Sequence, residues 1–196
     1  DSYKAKTSSN QNHAYENRVI DVNYKVIDDF NEYSIDLYHN TGSTEYDSFG
    51  SNLSQIHKDN HFRAMLEREL GDKKIMISYI RKGNEINQSA LSATDYTHTK
   101  TDSIVIENIF SGRTLFGTSY TDESMYELSY GTSLKTSNKI RDFYFNTSYQ
   151  PSDKIYLNMG LRNTNHSIYS NFLAGNFNLG KKIDDDNLFY SSVSKN

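Results

Sequence analysis

The chain has 196 residues, a net charge of -4 and 35% hydrophobic residues, with a mean hydropathy of -0.78. This apolar content is low for a domain with a large two-sided core, whereas 16 tyrosines and 10 phenylalanines are too many for a disordered chain. The absence of cysteine excludes disulfides and thiolate metal sites, and the acidic balance predicts no nucleic-acid partner. We therefore expect a folded chain with one thin apolar face.

The first predicted elements form a β-hairpin. Residues 18–27 alternate strictly between apolar and polar side chains, which is the period of a strand with one apolar face. After a short polar break at 28–32, residues 33–39 repeat the pattern. Polar residues such as Asp21 and Asp36 then share the face opposite to the apolar one.

The next predicted hairpin follows a long polar stretch over 40–60. Residues 61–70 contain good helix formers, so a helix is one possibility there. A strand is favoured because Gly71 and Asp72 lead directly into a second period-2 segment over 75–79.

The middle of the chain repeats this layout. A polar stretch over 82–100 precedes a strand at 104–106, and a tight turn at 111–113 leads into a strand over 115–120. Residues 121–139 allow two interpretations: one outer loop at the end of the strand, or an additional hairpin.

The clearest predicted hairpin joins 143–149 to 155–161 through a turn at 150–153. Its apolar positions are predicted to share one face, with Asn158 and Arg162 on the other. Strands over about 169–180 and 188–193, separated by a polar turn at 181–186, complete the pattern. The apolar residues predicted to share a face are Phe143, Phe145, Ile155, Leu157, Met159 and Leu161, opposite Tyr156, Asn158 and Arg162.

These elements predict an all-β chain: an antiparallel meander of about ten strands that forms part of a transmembrane β-barrel. No apolar run approaches the about 18 residues of a spanning helix, so a membrane-spanning chain of this composition must use strands. Polar residues in mid-strand fit a barrel interior, whereas a packed soluble core would make them costly. Short turns and long polar loops alternate, which predicts periplasmic turns and loops at the cell surface.

The segment from Met159 to Ser170 resembles the G-x-R-x-D-x-x-S-x-F-G hairpin midway around the barrel of TonB-dependent receptors. It differs from that motif in Asn163 and Asn165, which stand around the usual Asp, and in the absence of Phe-Gly after Ser167. The preceding and following strands occur in the family's order. Tryptophan is absent, so tyrosine would take its place at the membrane interfaces.

Upstream, residues 15–40 and 110–120 resemble the vitamin B12 and catecholate-siderophore branches of the family, so the resemblance covers nearly the whole chain. It implies that residues 1–196 are part of the barrel domain of such a receptor in the bacterial outer membrane, without the plug domain and the closing strands. The implied partners are the lipid bilayer, a ferric siderophore or cobalamin-type ligand, and the TonB complex, which acts through the plug region. No cofactor and no enzymatic activity are expected, because no catalytic constellation stands out.

Five residues in the predicted outer loops are candidates for ligand binding, because acidic and aromatic loop residues line the vestibule in this family. Ordinary loop surface is the simpler interpretation for any one of them. The candidates are Tyr46, Asp47, Asp95, Tyr96 and His98.

Two further clusters contain potential metal ligands, but each has a simpler interpretation without a metal. His57 and His61 have a spacing that suits a metal on a helix, but they lie in a polar stretch without helical periodicity. Asp184, Asp185 and Asp186 are predicted to form a polar turn rather than a cation site. We therefore predict no metal site.

Two alternatives stay open at this point. Another outer-membrane barrel, such as a porin or a polysaccharide exporter, would show the same alternation. A soluble β-sandwich or adhesin-like binding module would instead pack two apolar sheet faces together.

Overall fold

The computed structural model describes residues 2–4, 12–48, 51–89, 94–183 and 187–195. These residues form one antiparallel sheet of eleven strands, of which the first has only three residues. The strands are β1 Ser2–Lys4, β2 Asn12–Ile27, β3 Asn31–Ser48, β4 Ser51–Leu70, β5 Lys73–Ser89, β6 Thr94–Phe110, β7 Thr114–Ser129, β8 Thr132–Ser152, β9 Ile155–His166, β10 Phe172–Lys182 and β11 Leu188–Lys195.

The strands lie in the sheet in chain order, and each pairs with its neighbours in sequence. Among the described residues β1 and β11 do not pair with each other, so the sheet is open at both edges. The predicted meander is confirmed, and the packed pair of sheets that a β-sandwich requires is not the architecture. No hydrophobic side chain in the described part of the chain is buried, so this single layer has no core of its own.

Residues 61–70 are strand, as predicted, and not helix. Within the described ranges, no helix long and apolar enough to cross a membrane occurs.

The strands have two ends, which we name by their connections. At the base end the chain turns at 28–30, 71–72, 111–113 and 153–154, and the backbone N–H of Ile183 donates to the carbonyl of Asn187 at the same end, between β10 and β11. At the tip end β7 joins β8 through Tyr130 and Gly131, and β9 joins β10 through residues 167–171. Both tip-end residues Tyr130 and Gly131 have positive φ, which is the type I′ turn that suits the twist of a hairpin.

The prediction of long polar loops over 40–60, 82–100 and 121–139 is wrong. β3 and β4 stay paired as far as Ser48 and Ser51, and β5 and β6 stay paired as far as Ser89 and Thr94. Residues 121–139 are the tip half of a single hairpin and contain no additional reversal. The physical reason is that backbone hydrogen bonds sustain the ladder even where the side chains of both faces are polar.

The turn predicted at 150–153 also lies differently. β8 continues to Ser152, the turn is at 153–154, and the register shifts between Tyr149 and Ser152. Pro151 falls in this irregularity, where its missing N–H breaks no regular ladder bond. The aspartates at 184–186 lie outside the described residues.

The two faces of the sheet differ in chemistry. The belt face carries a band of apolar side chains on successive strands, including Val22, Leu37, Ile77, Ile104, Ile106, Phe116, Phe143, Leu157 and Phe177, which cross-strand pairing places on the same side. We call the opposite side the polar face; it carries Asp21, Asp36, Arg63, Asn158 and Arg162.

The predicted face assignment of the β8–β9 hairpin is confirmed by its register. Phe145 lies opposite Leu161, and Tyr149 lies opposite Leu157. Directly opposed residues of antiparallel strands point to the same side, so these apolar residues share the belt face. Tyr144 opposite Arg162 and Ser148 opposite Asn158 belong to the polar face.

Candidate ligand wall at the tip end

The five predicted ligand-binding residues lie in strands and not in loops. Tyr46 and Asp47 are near the end of β3, and Asp95, Tyr96 and His98 are near the start of β6. The register puts Tyr46 and Asp95 on the polar face, but Tyr96 and His98 on the belt face. The side chain of Asp47 lies outside the described part of the chain. The structure therefore divides the candidates between two sides of the sheet.

Tyr96 and His98 form a ring cluster with Tyr126 of the neighbouring strand. The ring centroids of Tyr96 and His98 are 6.4 Å apart, and those of Tyr96 and Tyr126 are 6.1 Å apart. These rings pack on the outer side of the sheet beyond the apolar band, so they cannot contact a molecule on the polar face.

Asp95 has a structural partner on the polar face. Its carboxylate accepts a hydrogen bond from the backbone N–H of Tyr130 at 3.0 Å. Asp95 therefore holds the neighbouring hairpin tip in place, whatever else it contacts.

Tyr46 belongs to a group of polar side chains that are incompletely satisfied. Its hydroxyl and three other shielded atoms on the polar face have no hydrogen-bond partner within the described part of the chain: Asn40 Oδ1, His61 Nε2 and Arg63 Nε. Shielded polar atoms in proteins are nearly always paired. A partner outside this sheet would satisfy these atoms.

A groove of about 440 Å³ runs along the polar face next to this group. Its polar-face lining is aromatic, charged and hydroxylic: Tyr38, Asp59, His61, Lys82, Asn84, Thr99 and Thr101. The amide of Asn84 donates to the carboxylate of Asp59, which fixes both side chains across β4 and β5. The groove lies towards the tip end from the apolar band.

This set of residues was not predicted from the sequence, because residues 40–60 and 82–100 were interpreted as loops. The signal was nevertheless present. Counting in steps of two from the apolar positions of β4 and β5 places His61 and Lys82 on the polar face.

The interpretation of His57 and His61 as loop residues is wrong, since both lie in β4 on the polar face. The His57 ring occupies the space above Gly42 of the adjacent strand, where a Cβ would collide with it. Among the described residues, no group of three His, Cys, Asp or Glu side chains is placed to hold a metal.

The polar face also carries a tightly bonded node around Asp142, which is only 5% exposed. Arg162 approaches this carboxylate with two nitrogens, Nε to Oδ1 and Nη2 to Oδ2, each at 3.0 Å. Thr164 donates to the same carboxylate, and Ser119 donates to it at 3.1 Å. Because these partners come from β7 and β9, the node fixes the register of three strands.

Tyr144 lies beside this node and is folded down onto the sheet. Its ring fills the space above Gly117, where a Cβ would clash with the ring, and its hydroxyl donates to Glu107 at 2.7 Å. Glycine opposite an aromatic ring is a recurrent device for accommodating a ring against a sheet.

Comparison with solved structures shows which proteins share this fold. A mutant of the ferric enterobactin receptor PfeA from Pseudomonas aeruginosa matches 98% of this chain with a TM-score of 0.74 and 10% identity. BauA, the ferric preacinetobactin receptor of Acinetobacter baumannii, matches 97% with a TM-score of 0.71 and 11% identity. The outer-membrane protein OmpT of Vibrio cholerae matches 77% with a TM-score of 0.51 and 9% identity.

The chain spans 35% and 40% of the length of the two receptors, so it corresponds to a part of such a barrel. No family model and no curated protein matches the sequence. At these identities the likeness shows the fold, which is that of a wall segment of a bacterial outer-membrane β-barrel. The continuous belt face is the surface that such a wall presents to hydrocarbon, and the polar face lines the interior.

Proposed function

We propose that this chain is part of the barrel wall of a TonB-dependent receptor, a transport protein rather than an enzyme. In this proposal the receptor takes up a metal chelate, such as a ferric siderophore or cobalamin. Residues 1–196 then form a partial barrel domain, and the plug region that contacts TonB belongs to another part of the receptor. The observation that carries the proposal is the match of nearly the whole sheet to two ferric-siderophore receptors.

The strand lengths and the polar face support the proposal. β3 to β8 have 16 to 21 residues, which exceeds the about 9 to 11 residues that a tilted strand needs to cross hydrocarbon. Their tip halves extend into water and enlarge the interior wall. That wall carries the groove along Tyr38, His61 and Lys82.

We propose this groove, together with Tyr46, as the part of the wall that contacts the chelate. Aromatic rings, an ammonium group and hydroxyls suit a chelate that has both planar and oxygen-rich surfaces. Asp95 remains a candidate for contact with the ligand, beside its bond to the hairpin tip. Tyr96 and His98 are withdrawn as ligand contacts because they lie on the belt face.

In the test, the full-length receptor is expressed in its host after deletion of the chromosomal gene, and the cells grow with limiting iron. Uptake of a panel of radiolabelled ferric siderophores and of labelled cobalamin is measured with and without TonB. The proposal expects saturable uptake of one of these chelates that requires TonB. Uptake of none of them, or diffusion of unrelated small solutes independently of TonB, would overturn it.

The groove is tested by two matched double variants. Tyr38→Ala with His61→Ala removes a tyrosine and a histidine from the polar face, and Tyr96→Ala with His98→Ala removes the same residue types from the belt face. We expect the first pair to weaken chelate binding by about ten-fold, as for loss of an aromatic anchor, and the second pair to leave it unchanged. An equal loss in both would contradict the assignment of the ligand to the polar face.

We further propose that the tip end faces the cell surface and the base end the periplasm. Residues 121–139 contain no additional reversal, so residues 164–168 and the ends of β3 and β5 fall on the same side. Single cysteines at Ser48, Ser89 and Ser152 can be labelled on whole cells with an impermeant thiol reagent. Labelling at Ser48 and Ser89 alone is expected, and labelling at Ser152 would reverse the orientation.

A second candidate is a different outer-membrane barrel, since OmpT of Vibrio cholerae also shares the fold over 77% of this chain. Such a barrel predicts passage of small solutes that does not saturate and does not require TonB. The uptake experiment distinguishes the two.

A further inference from the structure

Strand β8 is taller than the strands that follow it. It has 21 residues, whereas β9, β10 and β11 have 12, 11 and 8. Because these strands are aligned at the base end, the wall steps down beside β8 at the tip end. Pairing of β8 with β9 ends at Ile140 and His166, while pairing of β8 with β7 continues to Thr132. Residues 132–138 therefore pair on one side only within the described part of the chain, and we call them the β8 edge.

The ladder between β8 and β9 is terminated by Ser167. Its backbone N–H donates to the carbonyl of Lys139 at 2.9 Å, and its hydroxyl accepts from the N–H of Lys139 at 2.8 Å. Backbone N–H and C=O groups alternate in direction along a strand. Those of Ser133, Lys135 and Ser137 therefore point the same way as those of Lys139, towards the side that β9 has left.

The β8 edge lacks most of the features that block strand pairing. Exposed edges are commonly protected by proline, by a β-bulge or by charged side chains. Residues 132–138 contain no proline, their register with β7 is regular, and Lys135 is the single charged residue among them. Residues 132–137 are all exposed. The edge thus presents unpaired backbone donors and acceptors in the geometry of a ladder.

The two faces of the β8 edge differ in chemistry. On the belt face Lys135 lies opposite Tyr126, and among the described residues of β7 no acidic side chain lies directly or diagonally opposite it on that face. Lys139, by contrast, lies opposite Asp122. On the polar face Leu134 is 54% exposed. A strand added at this edge would have an ammonium group beside one face and an apolar side chain beside the other.

We propose that the β8 edge binds an extended peptide segment of another protein by strand addition, antiparallel to β8. The peptide alternates acidic residues, which lie beside Lys135, with apolar residues, which lie beside Leu134. In strand addition, main-chain hydrogen bonds give affinity and alternate side chains give specificity. The three short strands leave a step roughly 14 Å wide, and one added strand needs about 5 Å. The inference concerns the sheet edge alone and does not depend on the uptake of a chelate.

The first test measures binding of synthetic peptides to the full-length receptor in detergent by fluorescence anisotropy. The probe alternates glutamate and valine over about nine residues, which is enough to span the β8 edge. The comparison peptide has lysine in place of glutamate. We expect saturable binding of the glutamate peptide, about ten-fold tighter than that of the lysine peptide, because of the charge of Lys135. No binding of the glutamate peptide, or equal binding of the two, would overturn the proposal.

The second test asks whether the peptide backbone makes the contact. In an antiparallel pair, the residues opposite Ser133, Lys135 and Ser137 direct their N–H groups at β8, and these residues are the glutamates. N-methylation of the glutamates should weaken binding by about a hundred-fold, since each of the three lost hydrogen bonds contributes about five-fold. N-methylation of the valines should leave binding unchanged. Equal losses, or a loss with the methylated valines alone, would contradict strand addition.

The third test blocks the edge on the receptor. Ser137→Pro removes an N–H that points away from β7, so the ladder with β7 is kept while the proline ring occupies the place of the added strand. It should weaken binding of the glutamate peptide by about ten-fold or more. Ser137→Thr retains the N–H and is the control. Heat-dependent gel mobility shows that each variant is folded, and wild-type binding by Ser137→Pro would exclude the edge.

The fourth test reverses the charge beside the peptide. Lys135→Glu should reverse the preference, so that the lysine peptide binds about ten-fold tighter than the glutamate peptide. Lys154→Glu makes the same charge change at a base-end turn and should retain the wild-type preference. An unchanged preference in Lys135→Glu, or the same change in both variants, would contradict the placement of the peptide beside Lys135.

Discussion

Within β4, the sequence predicts a strand for the half from His61 to Leu70 and a polar loop for the half up to Asn60, although the ladders with β3 and β5 extend into both halves. The first half has apolar residues on the belt face and charged residues such as Arg63 and Glu67 on the polar face. The second half has polar residues on both faces. The difference shows that alternation reports contact with hydrocarbon, while pairing alone is enough to continue the strand.

We call the base-end parts of the strands, which carry the apolar band, the belt half, and the remaining parts the tip half. The contrast between them would be contradicted most clearly if the two faces of the belt half tolerated a charged residue equally. Leu157→Arg should lower the free energy of unfolding by about 2 to 4 kcal/mol, because the guanidinium would enter the middle of the bilayer. Asn158→Arg, one residue along on the polar face, should have a mild effect. Denaturant unfolding of the full-length barrel in lipid vesicles measures both, and equal losses would contradict the assignment of faces.

The Asp142 node is expected to stabilise the sheet at the level where it joins β7, β8 and β9. Asp142→Ala removes a shielded carboxylate and leaves Arg162, Thr164 and Ser119 without their acceptor. We expect a loss of about 1 to 3 kcal/mol in the free energy of unfolding. Asp122→Ala, in the neighbouring strand but on the belt face, is the control and should change it by less than about 0.5 kcal/mol. A similar loss in the control would show that the node has no special role.

The tip half depends on its turns as well as its ladder. Gly131 has a φ of 78°, so Gly131→Ala places a side chain in a left-handed conformation and should cost about 1 to 2 kcal/mol. Gly83→Ala is the control, because a Cβ there would make only an ordinary contact with the backbone oxygen of Thr99 at 3.9 Å and the position has no positive φ. Its stability should be unchanged or raised, since alanine restricts the unfolded chain. The same unfolding assay measures both, and a neutral Gly131→Ala would mean that the hairpin tip does not need this turn.

The smallest expected change in stability concerns the position of the lipid boundary along the strands. Ile56 lies on the belt face, like Ile77, but towards the tip end from the ion pair between Lys58 and Glu85. Ile56→Arg should cost about 0 to 1 kcal/mol, against about 2 to 4 kcal/mol for Ile77→Arg in the band. A large loss at Ile56 would move the membrane boundary towards the tip end.

The belt half of the fold could be predicted from the sequence because each strand meets hydrocarbon on one side only. Val22 therefore stands between Asp21 and Asn23, and Ile35 between Ser34 and Asp36. The tip half could not be recognised in this way. Both of its faces meet water, so selection for alternation is absent and the residues resemble those of a loop.

The division of the ligand candidates could have been predicted, although the sequence analysis missed it. Ile104 and Ile106 mark the belt face of β6, and counting back in steps of two reaches His98 and Tyr96. Asp95 then falls on the polar face. The count holds only if the strand continues without a bulge, and treating 82–100 as a loop removed that condition.

The partnership between Asp142 and Arg162 was less accessible. The alternation identified Arg162 as a polar-face residue, but its partner is 20 residues away in the preceding strand. A register for the hairpin was needed to bring them together. The shift between Tyr149 and Ser152 would have displaced any register counted from Pro151.

The glycines beneath the rings of Tyr144 and His57 affect how far these two side chains project from the polar face. A tyrosine standing upright on the sheet would project its full length into the interior, whereas Tyr144 lies across Gly117 and keeps the wall thin. A valine at position 117 would lift the ring, break its bond to Glu107 and narrow the bore at that height. The residue without a side chain at position 117 thus sets how much of the interior the tyrosine ring of the next strand occupies.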